Sequence, residues 1–174
     1  MTAPVPEPRA AEAIAGDATT PTTPMPWSEA QRRLADATYL WFATSAGGRP
    51  HVRPVLAVWV DGKLHTTSNP RARKARNLAE DDRCSISVSA DAVDVVYEGT
   101  ARKVDDHDHL QRVADAYREK YGWPPVVVDG AFDAPYGAPT AGPPPYEVYE
   151  VTPTVVYGLG TDDEHAPRST RWTF

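Results

Sequence analysis

The amino-acid sequence predicts a mainly β protein with flanking helices, built as an antiparallel barrel. Short segments rich in aromatic and β-branched residues follow one another, and turn-forming pairs such as Asp61-Gly62 separate them. A few helical patterns interrupt these segments, which gives roughly seven strands and three helices in all. Hairpin connections in the first half of the chain favour an antiparallel barrel over a parallel sheet with crossover helices.

Composition limits the kinds of partner that the chain can bind. With 174 residues, 41% of them hydrophobic, the chain is long enough for one domain with a substantial core. The formal net charge of -6 argues against general affinity for nucleic acid or anionic membranes, so any anion site must be local. No apolar run reaches the roughly 18 residues of a membrane helix and no signal peptide is evident, which predicts a cytoplasmic protein. The single cysteine, Cys84, excludes an internal disulfide and alternates with apolar residues, so we predict a core residue.

The chain is predicted to divide into a disordered tail over 1–26 and an ordered domain over 27–174. The tail consists mainly of Ala, Pro and Thr without apolar periodicity. The domain opens with Ser28 and Gln31 at the spacing of a capping box, and Trp27 precedes them as a hydrophobic staple.

After a short helix over about 29–37, three segments predict a meander of antiparallel strands. These segments are "TYLWFATS", "HVRPVLAVWV" and "KLHTTS", with Asp61-Gly62 as the turn between the last two. Alternation along the middle strand places two sets of side chains on opposite faces. The set predicted to face the core is Val52, Leu56, Val58 and Val60. The other set is His51, Arg53, Val55, Ala57 and Trp59.

The second half of the chain predicts a hairpin, a helix, a long loop and two closing strands. "RCSISVSA" and "VDVVYEGTARKVD" form the hairpin around Asp91-Ala92. Residues 122–146 are rich in proline and predict a lid or binding loop without regular structure. "EVYEVTPTVVYGLG" is a strand interrupted at Pro153, and "STRWTF" closes the chain. The helix, "HDHLQRVADAYREKYG", has its apolar positions at helical spacing, namely Leu110, Val113, Ala114 and Tyr117.

Four cations open the helix that is predicted within "SNPRARKARNLAEDD": Arg71, Arg73, Lys74 and Arg76. A helix N-terminus already carries partial positive charge and free amide hydrogens, so cations are unfavourable there unless an anion binds. Ser68 or Asn69 is predicted to cap the helix, with Pro70 at its first position. A phosphate at this corner meets amide donors, hydroxyls and cations, whereas the alternative is a solvated basic face. The side chains concerned are Thr66, Thr67, Ser68, Arg73, Lys74 and, from the neighbouring strand, Arg53.

The segment 51–90 resembles the flavin-binding half of the pyridoxamine 5'-phosphate oxidase superfamily, whose split β-barrels hold FMN or the deazaflavin coenzyme F-420. The similarity lies in the order of an Arg on a strand, a hairpin, a Thr/Ser-Asn corner and an Arg/Ser-Lys pair that opens a helix. The matching residues are Arg53, Thr67, Ser68, Asn69, Arg73, Lys74, Asn77 and Leu78. The resemblance extends in outline over about 36–160, and it implies an FMN-binding split β-barrel of Greek-key type.

The resemblance also implies which residues bind the cofactor: Arg73 and Lys74 take its phosphate, and the strand backbone around Pro54 to Ala57 runs along its rings. Members of the family are usually homodimers with shared cofactor sites, so Trp172 is either a contribution to the partner's site or an aromatic residue of the dimer core. The full set implied for the cofactor is Arg53, Pro54, Val55, Thr66, Thr67, Ser68, Arg73, Lys74, Asn77 and Trp172.

The end of the chain bears on which branch of the family it resembles. Pyridoxamine phosphate oxidases end in an Arg-Leu-x-Pro style segment, which "PRSTRWTF" does not match. Together with "RPVLAVWVDGKLHTTS", this ending is more similar to F-420-dependent reductases. The implied function is hydride transfer from reduced F-420 to an unsaturated small organic substrate. The acidic tail of F-420 suits the further cations Arg71 and Arg76.

Two alternatives stay open. One is an FMN-dependent oxidoreductase of the pyridoxamine phosphate oxidase type, and the other is a non-catalytic carrier of flavin, F-420 or haem. Haem requires an axial ligand, for which His51 and His65 on neighbouring strands are candidates. No catalytic residue is assigned. No metal site is predicted, because His107 and His109 stand on different faces of their helix.

Overall fold

The computed structural model describes residues 5–14 and 21–174. Within this part of the chain lie three α-helices, eleven β-strands and one short 3₁₀ helix, Ala166–Arg168. The helices are α1 (Trp27–Asp36), α2 (Arg73–Glu80) and α3 (His107–Tyr121). The strands are β1 (Ala10–Ala13), β2 (Leu40–Ala46), β3 (Arg49–Val55), β4 (Ala57–Val60), β5 (Lys63–Ser68), β6 (Arg83–Ala90), β7 (Val93–Val104), β8 (Val126–Val128), β9 (Ala131–Asp133), β10 (Glu147–Gly160) and β11 (Thr170–Thr173). No helix in the described part of the chain is both long and apolar enough to cross a membrane.

Nine strands form one antiparallel sheet that follows the predicted barrel architecture. Its order is β1-β11-β10-β7-β6-β2-β3, and β5 extends it from β10 and pairs in turn with β4. Strand β10 pairs with β7 along its length, and its register shifts between Pro153 and Val155. At this bulge, a Cβ on Gly99 would overlap the carbonyl oxygen of Thr152, so the position requires glycine. The predicted interruption at Pro153 is therefore a bulge within one long strand.

Two hydrophobic cores lie on opposite sides of β4 and β5. The first fills the barrel with residues such as Phe42, Leu64 and Tyr97. The second lies between the outer face of the sheet and α3. All four apolar positions predicted for α3 are buried in it, which confirms the helical spacing: Leu110, Val113, Ala114 and Tyr117.

The predicted middle strand is divided at Leu56 into β3 and β4. The prediction that the even-numbered apolar residues face the core is wrong for Val52 and Leu56, which are 44% and 36% exposed. Only Val58 and Val60 are buried, beneath α3. The break is stable because donors from other elements satisfy the Leu56 carbonyl oxygen. They are the hydroxyls of Thr66 at 3.0 Å and Tyr117 at 2.9 Å.

The hairpin turns agree with the predicted sequence pairs. Asp61 and Gly62 have φ values of 50° and 78°, and Asp91 and Ala92 have φ values of 50° and 57°. Both residues of each pair therefore adopt the left-handed conformation that a two-residue type I′ turn requires.

The N-terminal region is more ordered than predicted. β1 pairs with β11 in the register Ala10 to Thr173, so main-chain hydrogen bonds order a segment that has no apolar face. Met25 is buried, and its amide donates to Thr170 Oγ1 at 2.7 Å. The predicted disorder over 1–26 is thus wrong for these residues, while 1–4 and 15–20 lie outside the described residues.

The capping box predicted for α1 does not form. The helix begins at Trp27, two residues earlier than a Ser28 cap allows, and Pro26 occupies the N-cap without a side-chain cap bond. Proline at this position sets the backbone without a hydroxyl acceptor. Trp27 itself is a buried residue of the helix and packs in the barrel core.

The proline-rich segment 122–146 contains regular structure that its composition does not indicate. β8 and β9 form a small hairpin, and Asp129 and Gly130 provide the turn with φ values of 49° and 73°. Phe132 in β9 exchanges backbone hydrogen bonds with Tyr146 at 2.8 Å, which fastens the segment to the start of β10. The expectation of a loop without regular structure is therefore wrong over 126–133.

Candidate functional site

The corner between β5 and α2 is built by Asn69. Its side-chain Oδ1 accepts a hydrogen bond from the Arg71 amide at 2.7 Å, and its carbonyl accepts one from Ala72 at 2.9 Å. These bonds add a turn before the helix, so α2 begins at Arg73 with Ala72 as its N-cap. The predicted cap at Ser68 or Asn69, with Pro70 first in the helix, is therefore wrong by about one turn. No side chain caps α2, so donors of its first turn stay available.

A cavity of about 1010 Å³ opens at this corner. Its walls come from β3, the end of β5, the start of α2, the later turns of α3 and the segment 122–146. Seven of the residues implied for cofactor binding line it: Arg53, Pro54, Val55, Thr67, Ser68, Arg73 and Lys74. Residues from two separate stretches of sequence thus meet on one wall.

The charged end of the cavity lacks a negative partner. Within the described part of the chain, none of Arg53, Arg73 and Lys74 forms an ion pair with a carboxylate. Burial, and then the charge of Arg53, lowers the pKa of Lys74. Burial, followed by the same three cations, lowers the pKa of His51, which also lines the cavity. The Nδ1 atom of His51 is buried and has no hydrogen-bond partner. An anion would relieve this uncompensated positive charge.

Aromatic residues form much of the rest of the wall, and most of them were not predicted as site residues. Trp41 is 47% exposed at the rim, and Tyr117 and Tyr121 stand on one face of α3. The proline-rich segment contributes Trp123, whose Nε1 donates to the Tyr136 carbonyl at 2.7 Å. The sequence could have indicated Trp41, because it stands between Leu40 and Phe42 in a strand. Those two side chains are buried, so that of Trp41 points to the opposite face.

The segment 122–146 is held against the corner. Asn69 Nδ2 donates to the Pro143 carbonyl at 2.6 Å, and Tyr146 donates its hydroxyl to the Gly142 carbonyl at 2.7 Å. Tyr146 also packs against Trp123, with ring centroids 5.7 Å apart. The expected binding loop is thus a fixed wall of the cavity.

The family model for pyridoxamine 5'-phosphate oxidase matches residues 27–160. The chain belongs to this family. The match includes β3, the β5–α2 corner, α3 and all of β10. None of the curated proteins matches the sequence.

Solved structures share the family's split-barrel fold with this chain. A conserved hypothetical protein from Mycobacterium tuberculosis is 19% identical with a TM-score of 0.61, covering 79% of this chain and 86% of that one. An FAD-binding protein from Mesorhizobium loti is 18% identical with a TM-score of 0.56, covering 86% and 96%. A heme binding protein from Mycobacterium smegmatis is 20% identical with a TM-score of 0.56, covering 78% and 54%. At these identities the likeness concerns the fold.

Three residues implied by the family resemblance lie away from the cavity. The Thr66 hydroxyl is buried and donates to the Leu56 carbonyl. Asn77 is buried and donates to Thr44 Oγ1 at 3.0 Å, so it anchors α2 to β2. Trp172 is 1% exposed and packs on Trp27 with ring centroids 5.5 Å apart. Each of these three side chains thus has a structural contact within the chain, and their part in cofactor binding stays a prediction.

The remaining cations and histidines are also separated from one another. Arg71 and Arg76 are exposed and do not line the cavity, unlike Arg73 and Lys74. The candidate haem ligands do not share a site, because His51 lines the cavity while His65 points towards α3.

Cys84 is packed against the barrel core, and burial raises the pKa of its thiol to about 12. This agrees with the prediction of a core residue.

Proposed function

We propose that the protein is an F-420-dependent reductase that acts on an unsaturated small organic substrate. The observation that carries the proposal is a group of cations without a carboxylate partner among the described residues, Arg53, Arg73 and Lys74, at one end of a large cavity. Two more cations, Arg71 and Arg76, lie exposed on the same corner outside the cavity. A cofactor with both a phosphate and an acidic tail would use both groups.

The residues that line the cavity fit such a cofactor. Its volume of about 1010 Å³ is at the upper end of the range for small-molecule sites. One end offers cations and the hydroxyl of Thr67, as a phosphate requires, whereas the buried Ser68 hydroxyl donates to the Asn69 carbonyl at 3.1 Å. The other end offers the aromatic rings of Trp123 and Tyr136, which suit a flat ring system.

The protein's own part in the reaction is to bind, orient and exclude water. When bound, reduced F-420 supplies a hydride to the substrate. Arg73 and Lys74 would hold the phosphate, and the β3 backbone at Pro54 and Val55 would lie beside the rings. The aromatic side of the cavity limits access of water to the reacting atoms.

An FMN-dependent oxidoreductase is the second candidate, because the cavity's phosphate end serves FMN equally well. Fluorescence titration of the purified full chain with oxidised F-420 and with FMN separates the two. The proposal predicts tight binding of F-420. Tight binding of FMN without binding of F-420 would overturn it in favour of the second candidate.

Arg71 and Arg76 provide a test that is specific for the acidic tail. The double variant Arg71→Ala/Arg76→Ala is expected to weaken F-420 binding by roughly 3- to 10-fold, the scale of exposed charge pairs, and to leave FMN binding unchanged. Titrations at low and moderate salt should show the difference shrink as ionic strength rises. Equal losses for both ligands would mean that these cations do not contact a tail.

We further propose that a second copy of the chain completes the cavity. Four apolar side chains near its mouth are substantially exposed: Tyr39, Trp41, Val52 and Leu56. A monomer rarely leaves such a group uncovered, and three of the four line the cavity. Analytical ultracentrifugation is expected to give a dimer that Trp41→Glu dissociates, whereas Val126→Glu, in β8, leaves it intact. A monomeric wild-type protein would contradict this proposal.

A further inference from the structure

Three side chains with metal-ligating atoms meet on the side of β5 that faces α3, apart from the cavity. His65 stands in β5, Glu150 lies directly opposite it in β10, and His109 comes from the first turn of α3. The two Nε2 atoms are 2.9 Å apart. Glu150 Oε2 lies 3.6 Å from His65 Nε2 and 3.8 Å from His109 Nε2. Three elements thus direct one nitrogen or oxygen atom each at a common point.

The spacing of these atoms matches a metal site. Ligand atoms placed tetrahedrally about 2.1 Å from a metal lie roughly 3.4 Å from one another. The three observed distances, 2.9, 3.6 and 3.8 Å, bracket this value. Shifts of a few tenths of an ångström in the side chains would complete the geometry.

Surrounding groups orient two of the three ligands. His65 Nδ1 is 3.3 Å from the Lys63 carbonyl, which can only accept, so Nδ1 carries the proton and Nε2 presents its lone pair. The Lys63 ammonium binds Glu150 Oε1 at 2.7 Å and leaves Oε2 facing the histidines.

We propose that His65, His109 and Glu150 bind a divalent first-row metal ion, with Zn²⁺ as the best match. Two imidazoles and one carboxylate are a common zinc ligand set, and they leave a fourth position open. The His109 side chain is 18% exposed, so solvent can reach that position. The ion would tie the start of α3 to β5 and β10. Because α3 also carries Tyr117 and Tyr121, the site would brace one wall of the cavity.

Equilibrium dialysis of the tag-free full chain against Zn²⁺, with metal counted by mass spectrometry, tests the proposal independently of any cofactor. One Zn²⁺ per chain is expected, and saturating Zn²⁺ should raise Tm by roughly 5 to 10 °C. His109→Ala and the isosteric Glu150→Gln should each weaken binding by at least about tenfold. His107→Ala, an exposed residue of the same helical turn, is the matched control and should bind as the wild type does.

A spectroscopic measurement covers the case in which a variant folds poorly. Co²⁺ bound to the wild-type chain should show the intense visible bands of a tetrahedral site, and Zn²⁺ should displace it. The proposal is overturned if the wild-type chain binds no stoichiometric metal. It is equally overturned if the folded His109→Ala and Glu150→Gln variants bind Zn²⁺ as tightly as the His107→Ala control.

Discussion

Replacing Lys74 by alanine is expected to weaken cofactor binding by about 1.5 to 3 kcal/mol, or roughly 10- to 150-fold in Kd. This is the range for a charge-assisted hydrogen bond to a phosphate. Lys74 lines the cavity, and burial together with the neighbouring Arg53 already lowers its pKa. Arg73→Ala should cause a loss of similar size. Titration of each variant with FMN and with F-420 measures the effect.

The stability of the ligand-free protein distinguishes a binding role of Lys74 from a structural one. Lys74 faces Arg53 and has no carboxylate partner among the described residues. Its removal should therefore leave the free energy of unfolding unchanged or raise it slightly. Arg83→Ala is the control, because Arg83 lies just beyond α2 and pairs with Asp81 at 2.7 Å, outside the cavity. Unchanged binding in both Lys74→Ala and Arg73→Ala would reduce this corner to a solvated basic face.

Replacing Trp172 by alanine is expected to lower the free energy of unfolding by about 3 to 5 kcal/mol, the typical cost of removing a large core aromatic. The indole is fully buried in the barrel core and packs against Trp27. Gly158 lies against it so closely that a Cβ there would come within 3.0 Å of the ring. Urea unfolding followed by far-UV circular dichroism measures the loss.

The conservative variant Trp172→Phe separates the structural role from the role in cofactor binding that the sequence implied. It should fold, lose less stability than the alanine variant, and bind the cofactor as the wild type does. Trp41→Ala should instead keep most of the wild-type stability and weaken cofactor binding, because Trp41 is half exposed and lines the cavity. A folded Trp172→Phe protein with strongly weakened cofactor binding would contradict the placement of Trp172 in the core.

Features determined by local sequence were predictable. The spacing of apolar residues in α3 requires only the helical period, and Asp61-Gly62 requires only the backbone preference of its turn. The basic corner was predictable because its cations conflict with the helix dipole unless an anion binds. The structure places two of them, Arg73 and Lys74, on the cavity wall.

Features that depend on tertiary contacts were not predictable in the same way. The strand break at Leu56 exists because Thr66 and Tyr117, distant in sequence, satisfy its carbonyl oxygen. β1 depends on the free edge of β11 rather than on any pattern of its own.

The proposed metal ligands also depend on tertiary contacts and could not be predicted from a local sequence pattern. His65, His109 and Glu150 are each more than 40 positions apart, so no local spacing connects them. The spacing of His107 and His109 predicts no metal site on their helix, and the other two proposed ligands lie on two strands. Only the register of β5 against β10 brings His65 opposite Glu150.

We propose that the phosphate of the cofactor binds where β5 meets α2. A crystal structure of the full chain with F-420 bound tests it most directly. We predict the phosphate oxygens within about 2.7 to 3.2 Å of nitrogen atoms of Arg73 and Lys74, with the acidic tail leading towards Arg71 and Arg76. A phosphate bound elsewhere, with the Arg73 and Lys74 side chains in solvent, would contradict the claim.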